Sequence, residues 1–375
     1  MSVYLDSNAT TKVAKECLEA MLECMEDYGN PSSMHAAGQQ AKKKLMDERA
    51  NAAEFFSASP QEVVFTSCGT ESNHMAVLGA CALNPGKRHI VTSRVEHPST
   101  VALFDHLERQ GYEVTRLEVD ADGRLDIDEF GRALREDTAL ASLMWGNNET
   151  GVLFPIDEAA RMAKSRGCLF HTDAVQVSGK MKIDLSKTQA DLLSVSGHKM
   201  HAPKGIGALF VRKGIKLPPL FFGHQERNRR GGTENLPGIA ALGAACRLAM
   251  GSDHEGRIGV LRDRLEKELL AAIPFARVNG GAAERVCNTS NISFGSLESE
   301  AILDRLDRAG IHASSGAACT AGGNEPSHVL VAMGLGKQAE SSIRFSLSRY
   351  TDGDDIEQLL GILPGIVETM ARRTV

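Results

Sequence analysis

The sequence of 375 residues lacks a hydrophobic run long enough to cross a membrane. No apolar stretch approaches the roughly 18 residues that a membrane helix needs. The opening Met1–Asp6 has neither a basic region nor an apolar one, so no secretory signal is expected. An excess of positive charge is also missing: the net charge is −6, which argues against a nucleic-acid partner. These absences predict a cytoplasmic protein.

The cysteines form no pattern typical of a metal site or of a disulfide framework. The chain has eight of them, scattered, with no Cys-x-x-Cys pair and no Cys/His zinc spacing. In a reducing compartment most such thiols are expected to be small buried side chains. A reactive cysteine therefore has to be identified by its surroundings.

Cys319 has the surroundings of a reactive thiol. It lies within Ser314–Asn324, a segment of small and polar residues. This composition predicts a backbone that can move and a thiol that water can reach. Such a thiol suits a reaction that picks up an atom in one place and delivers it in another. The alternative is a spectator thiol in a loop.

Strands and helices alternate from about residue 60 to residue 211. This alternation predicts an α/β fold in which helices cover a mainly parallel sheet. The chain length favours two domains. A long helix predicted at Ile258–Ile273 leads into a smaller α+β domain, with strands at Asn291–Phe294 and Ser342–Leu347 and a final helix at Asp354–Met370.

Polar residues repeatedly follow the predicted strands, where ligands of open α/β sheets bind. One strand leads into Ser67–Asn73, a turn at the start of a helix. Free N–H groups, small hydroxyls and the helix dipole favour an anion there, and a plain helix cap is the alternative. The residues expected to converge on one site are Thr70, His97, Asn148, Asp173, Gln176 and Lys199.

Lys199 and Asp173 have the spacing and context of a cofactor site. Lys199 ends the run Ser194–Lys199, and Asp173 precedes it by 26 residues. A lysine that can bind an aldehyde and an acid that can face a pyridine nitrogen are what pyridoxal phosphate (PLP) requires. The alternative for Lys199 is a surface lysine in a turn.

Two further features leave alternatives open. Arg344 lies in a predicted strand and needs a partner, which is either a substrate carboxylate or an internal Asp or Glu. The basic, Gly-rich loop Gly223–Asn235 is either a phosphate-contacting or interface loop or a solvated run of charge.

Several of these stretches are recurrent motifs in a fixed order. They are Tyr4–Asp6, Asn8–Thr11, Gly29–Ser33, Phe65–Ser72, Glu96–Pro98, Asn147–Gly151, His171–Gln176, Gly197–Lys199, Arg230–Asn235, Ser314–Gly316 with Cys319–Thr320, and Arg344–Leu347. Any one of them is weak evidence, whereas the ordered set is specific. Over essentially its whole length the chain resembles the cysteine desulfurases of the NifS/IscS type, and the details lean toward the NifS side. The resemblance implies the aspartate aminotransferase fold and a PLP cofactor.

The resemblance also implies roles for residues at the cofactor. Lys199 would hold PLP covalently and later move the Cα proton, His97 would stack on the ring, and Asp173 would pair with the ring nitrogen. Gln176 would contact the phenolic oxygen. The remaining cofactor contacts would come from Gly69, Thr70, Asn148, Ser196, Gly197 and His198, with Thr233 arriving from the partner subunit of a homodimer.

On the substrate side, the resemblance implies conversion of L-cysteine to L-alanine. Asn148 and Arg344 would bind the substrate, and Cys319 would take its sulfur as a persulfide for an acceptor in iron–sulfur cluster assembly, as in nitrogen fixation. Cys319 would then also be a transient metal ligand together with an iron–sulfur scaffold protein. The alternatives are a selenocysteine lyase or an aminotransferase of the same fold, or a sulfur carrier in which PLP only stabilises the fold.

The resemblance also implies a division into two domains, and the chain differs from the family pattern at one position near its N-terminus. Residues 11–255 would form the large PLP-binding domain, and residues 1–10 with 256–375 would form the small domain that carries the cysteine loop. Ser7 stands where the family usually has Asn.

Overall fold

The structure is a computed structural model that describes residues 2–251, 254–316 and 326–374. Its strands are β1 (Val3–Tyr4), β2 (Val63–Thr66), β3 (His89–Ser93), β4 (Glu113–Leu117), β5 (Thr138–Met144), β6 (Leu169–Asp173), β7 (Leu192–Ser196), β8 (Gly207–Val211), β9 (Arg277–Val278), β10 (Thr289–Ser293), β11 (Ile311–His312) and β12 (Ser342–Ser346).

The helices alternate with these strands along most of the chain. They are α1 (Lys15–Glu26), α2 (Ala36–Phe55), α3 (Gly69–Leu83), α4 (Pro98–Arg109), α5 (Ile127–Ala133), α6 (Ile156–Ser165), α7 (Gln225–Asn228), α8 (Leu236–Met250), α9 (Glu255–Ala272), α10 (Ser299–Arg308), α11 (His328–Ala332) and α12 (Gly353–Thr374). None of the described helices is both long and apolar enough to span a bilayer.

The central sheet has seven strands in the order β2-β8-β7-β6-β5-β3-β4. The pairs from β4 to β7 are parallel, as the alternating sequence predicts. However, β8 runs antiparallel to both β7 and β2, so the mainly parallel sheet is mixed at this edge. The reason is the short connection between β7 and β8, because a parallel return requires a crossover of about a dozen residues or more.

This strand order brings the predicted site residues together. Strands β7, β6, β5 and β3 are consecutive neighbours, so their carboxyl ends form one edge of the sheet. The residues that follow those ends include Lys199, Asp173, Asn148 and His97. The strands themselves are buried throughout, apart from the partly buried Leu169, because helices cover both faces of a sheet of this kind.

The N-terminal residues pack with the C-terminal third of the chain. β1 pairs with β11, and Asp6 bridges to Ser346 at the end of β12, beside the three-stranded sheet β12-β10-β9. Val3 and Leu5 belong to a hydrophobic cluster whose other members lie between residues 258 and 367. Helix α11 is an exception to this grouping, since its Val329 and Leu330 pack into a cluster of the central sheet.

Candidate active site

A cavity of about 220 Å³ lies at the carboxyl edge of the central sheet. Most of the residues that the sequence nominates line it: Gly69, Thr70, His97, Asn148, Asp173, Gln176, Ser196, His198, Lys199 and Arg344. Gly197 is buried behind the cavity, and Thr233 is exposed away from it. Cys319, the candidate nucleophile and transient metal ligand, lies outside the described residues. Elsewhere in the described chain no cluster of His, Cys, Asp and Glu suits a metal ion.

One end of the cavity is built to receive an anion. Helix α3 begins there at Gly69, so its free N–H groups and positive dipole end point into the cavity. Any residue other than glycine at position 69 would be crowded. Its Cβ atom would lie 2.9 Å from Cγ2 of Val175 and 3.4 Å from Cβ of Ser196. Across from it, the buried hydroxyl of Ser196 makes no hydrogen bond to any described residue. A bound anion would satisfy that donor.

Asp173 is held rigidly at the end of β6. Asn73 on α3 donates a hydrogen bond of 2.6 Å to Oδ2 of Asp173, and the backbone N–H of Val175 donates one of 2.9 Å to Oδ1. The carboxylate is 8% exposed and faces the cavity. These donors fix the direction of the carboxylate, as pairing with a protonated ring nitrogen requires.

Lys199 follows β7 in a single 3₁₀ turn, Gly197–Lys199. Its Nζ atom donates to the backbone carbonyls of Asn8 at 2.5 Å and Ala9 at 2.7 Å. The N-terminal segment therefore places the amine at the cavity wall. Neighbouring His198 stays neutral, because burial and the charge of Lys199 lower the pKa of His198 to about 4.

His97 caps helix α4 and is fixed in one tautomer. Its Nδ1 accepts a hydrogen bond from the backbone N–H of Ser99 at 3.2 Å and lies 2.8 Å from the Ser99 hydroxyl. The proton of the neutral ring therefore sits on Nε2. Burial lowers the pKa of His97, the Lys199 and His328 charges lower it further, and Asp173 opposes them. His97 is thus a neutral hydrogen-bond donor at neutral pH.

Arg344 points into the cavity from β12 and already has protein partners. Its guanidinium forms an ion pair of 2.7 Å with Oδ1 of Asp6 and donates a bond of 3.1 Å to the carbonyl of Asn148. The buried Nε makes no hydrogen bond to any described residue. Both alternatives from the sequence therefore remain: an internal ion pair exists, and the guanidinium keeps N–H groups for a ligand.

Glu149 lies between the two described ends of the segment that contains Cys319. The Ser327 hydroxyl donates a bond of 2.5 Å to Oε2 of Glu149. Gly316 lies next to the same oxygen, since a Cβ atom added to it would be only 2.8 Å away. Residues 316 and 327 are therefore both adjacent to the Glu149 carboxyl group. Burial raises the pKa of Glu149.

A family model described as "Aminotransferase class-V" matches residues 3–359. The chain belongs to the class-V aminotransferase family. It is 51% identical to "Cysteine desulfurase 2" of Trichormus variabilis over 98% of this chain and 94% of that protein. It is 47% identical to "Cysteine desulfurase NifS" of Azotobacter vinelandii over 97% of this chain and 92% of that protein. Among solved structures, a "NIFS-LIKE PROTEIN" superposes with a TM-score of 0.92 at 33% identity, covering 98% of this chain and all of that one (100%).

Some residues of this class-V aminotransferase site escaped the sequence-based assignment. Asn73 donates a hydrogen bond to the Asp173 carboxylate. The backbone carbonyl of Asn8, a residue that lies between the sheet and β12, accepts a hydrogen bond from Lys199. Lys180 lies behind the cavity wall. Asn8 lies inside a recognised motif and Asn73 lies directly beside one, so the sequence could have indicated both as site residues. Nothing in the sequence around Lys180 distinguishes it from a surface lysine.

Proposed function

We propose that this protein is a PLP-dependent cysteine desulfurase that converts L-cysteine to L-alanine and passes the sulfur on through Cys319. The observation that carries the proposal is the cavity that combines Lys199, Asp173 and the N-terminus of α3. The similarity to curated cysteine desulfurases over nearly the whole chain supports it.

The residues present fit PLP on three points. The start of α3 suits the phosphate group, and so does the Ser196 hydroxyl, which has no hydrogen-bond partner in the described part of the chain. The Asp173 carboxylate suits the ring nitrogen, and the Lys199 amine suits the aldehyde carbon. His97, which would cover the ring, and Gln176 both line the same cavity.

When bound, PLP supplies an electron sink that stabilises negative charge at the substrate Cα. The remaining work falls to the protein's own side chains. Arg344 and Asn148 orient the substrate, and the Lys199 amine takes and returns the Cα proton. The Cys319 thiolate forms a bond to the substrate sulfur while the carbon–sulfur bond breaks, and protons added to the carbon product complete alanine.

We further propose a homodimer in which Thr233 reaches the partner's cofactor. Thr233 is exposed and does not line the cavity of its own chain. Three large side chains that suit an interface are almost fully exposed: Tyr28 at 90%, Met34 at 93% and Phe222 at 89%. The small domain would comprise residues 1–10 and 256–375. The sulfur acceptor would be a scaffold protein for iron–sulfur clusters, with Cys319 as transient ligand, in the cytoplasm.

The proposal is tested by supplying the purified protein with PLP and L-cysteine. Alanine and, with a reductant, sulfide should form in equal amounts, because one sulfur leaves each substrate. A keto acid instead of alanine would indicate an aminotransferase. Turnover of selenocysteine but not of cysteine would indicate a selenocysteine lyase.

Arg344→Ala should raise KM for L-cysteine by about 10- to 100-fold, since a charge-assisted contact to the substrate carboxylate contributes about 1.5–3 kcal/mol. Turnover at saturation should fall much less. Asp6→Asn is the matched variant, because it removes the ion pair and keeps the guanidinium. Similar small effects of both variants on KM would mean that Arg344 serves only the internal ion pair.

A further inference from the structure

Lys180 is a buried lysine that the proposed reaction does not use. Its side chain is 8% exposed, and it lies behind the cavity wall that Gln176 and Lys199 form. Within residues 2–251, 254–316 and 326–374 it forms no ion pair with a carboxylate. A buried ammonium is costly unless other groups stabilise it, and here hydrogen bonds and a bound anion are the available sources.

The Lys180 ammonium donates to two amide oxygens. The distances are 2.6 Å to Oε1 of Gln176 and 2.9 Å to Oδ1 of Asn8. Since an ammonium can only donate, both amide oxygens must face Lys180 and both NH₂ groups must face away from it. The ammonium therefore sets the direction of the Gln176 amide. It shares the Asn8 amide oxygen with the side chain of Asn288, which donates to it at 3.1 Å.

The Gln176 NH₂ group keeps a proton for the cavity, whereas the Asn8 NH₂ group is fully used by protein acceptors. Gln176 uses one proton for the carbonyl of Asn8 at 3.0 Å, which leaves the second for the cavity that it lines. Asn8 donates hydrogen bonds of 2.8 Å to the Thr289 hydroxyl and 3.1 Å to the carbonyl of Asn148, and the same carbonyl accepts from Arg344. The orientation that Lys180 imposes thus extends to the predicted substrate-binding residues.

On the side of the predicted cofactor site, the charges near Lys180 are positive, whereas Glu54 and Glu255 line the cavity on its other side. Burial and the Lys199 charge lower the pKa of Lys180 to about 7, and Arg344 acts in the same direction. Cys287 opposes this effect, but burial raises the pKa of its own thiol to about 11, so the thiol stays neutral.

The other titratable groups of the adjoining small cavity are His201, His254 and Arg349. Burial lowers the pKa of His201 to about 4, so its ring is neutral. This side of the site therefore favours an anion.

We propose that Lys180 is a positioning residue that orients the amide of Gln176 and, together with Asn288, that of Asn8, so that the wall beside Lys199 offers the Gln176 NH₂ group and positive charge to an anionic oxygen of the cofactor. The inference rests on the proposed function, because the resemblance assigns the phenolic oxygen of PLP to Gln176. It adds a residue that acts on the cofactor without touching it.

The direct test is a pH titration of the visible absorption band of the PLP-loaded enzyme. Lys180→Met removes the charge and the donor but keeps the length of the side chain. Protonation of the lysine–cofactor group then becomes easier, so the midpoint should rise by about one pH unit. The control is Lys182→Met, which removes an exposed lysine two residues away and should leave the midpoint unchanged. The same midpoint in both variants would overturn the inference.

Failure of this inference can be told apart from failure of the proposed function. A wild-type protein that shows no visible band with PLP refutes the proposed function, whatever Lys180 does. A wild-type protein with the band and alanine formation, beside a Lys180→Met variant with an unshifted midpoint, refutes the Lys180 role alone. If Lys180→Met does not fold, Lys180→Gln takes its place, since it also removes the charge and should also raise the midpoint.

Unfolding of the apoprotein gives a second measurement. The pKa of Lys180 is lowered in the folded state, so between about pH 7 and about pH 10.4 the unfolded chain binds more protons. The contribution of Lys180 to stability therefore improves as pH rises. The urea concentration at the unfolding midpoint should therefore increase for the wild type relative to Lys180→Met as the pH is raised from about 7 to about 9.5. A difference that does not change with pH would contradict a buried, charge-strained Lys180.

Discussion

Lys199→Ala should lower the turnover of L-cysteine by about 10⁴-fold or more, because it removes both the covalent attachment of the cofactor and the group that moves the Cα proton. The amine occupies a defined place at the cavity wall, where it donates to the carbonyls of Asn8 and Ala9. The visible band of a lysine-bound cofactor should be absent from the variant. Absorbance spectra and an alanine assay measure the two effects separately.

The control for Lys199→Ala is Lys204→Ala. Lys204 lies on the exposed turn between β7 and β8, so its loss changes the local charge without touching the cavity. This variant should keep both the band and the activity. A Lys199→Ala protein that retained the band would show that another lysine holds the cofactor, and buried Lys180 would be the first to examine.

Cys319→Ala should retain the visible band but lose sulfur transfer by about 10³-fold or more, since the variant lacks the thiolate that the proposed mechanism uses to accept the sulfur. The cofactor site is built from described residues that do not include Cys319, so cofactor binding should be unaffected. Release of alanine and sulfide from L-cysteine measures the loss. Normal sulfide release would refute the persulfide mechanism.

Cys68 is the thiol to compare with Cys319. It lines the cavity and caps helix α3, where its sulfur accepts a bond of 3.4 Å from the N–H of Glu71. Cys68→Ser keeps an atom that can cap the helix, so its activity should fall by less than about 10-fold. A large loss with Cys68→Ser and a small one with Cys319→Ala would assign the sulfur to Cys68.

The sequence predicted much of the fold because the relevant signals are local. Helix α9 (Glu255–Ala272) ends one residue before the end of the predicted helix Ile258–Ile273, and β12 (Ser342–Ser346) starts as predicted and ends one residue before the predicted Leu347. Periodicity and turn residues suffice for such elements. The direction of β8 and the short helix α11 depend on packing between distant segments, and local patterns do not encode them.

The same distinction applies to the site. Asp173 and Lys199 could be nominated because each follows a predicted strand, and the sheet order then brings those strand ends together. Asn8 lies far from them in sequence and reaches the cavity only because β1 and the following residues pack against the C-terminal third of the chain. Lys180 shows its role only through the two amide oxygens that surround it.

The most direct measurement of the central claim is mass spectrometry of the PLP-loaded protein after brief exposure to L-cysteine without reductant. The peptide that contains Cys319 should gain the mass of one sulfur atom, and alanine should appear in equal amount. The added mass should be absent from Lys199→Ala, since the substrate is then not activated. Alanine formation with no added sulfur on Cys319, or with the sulfur on Cys68, would contradict the account.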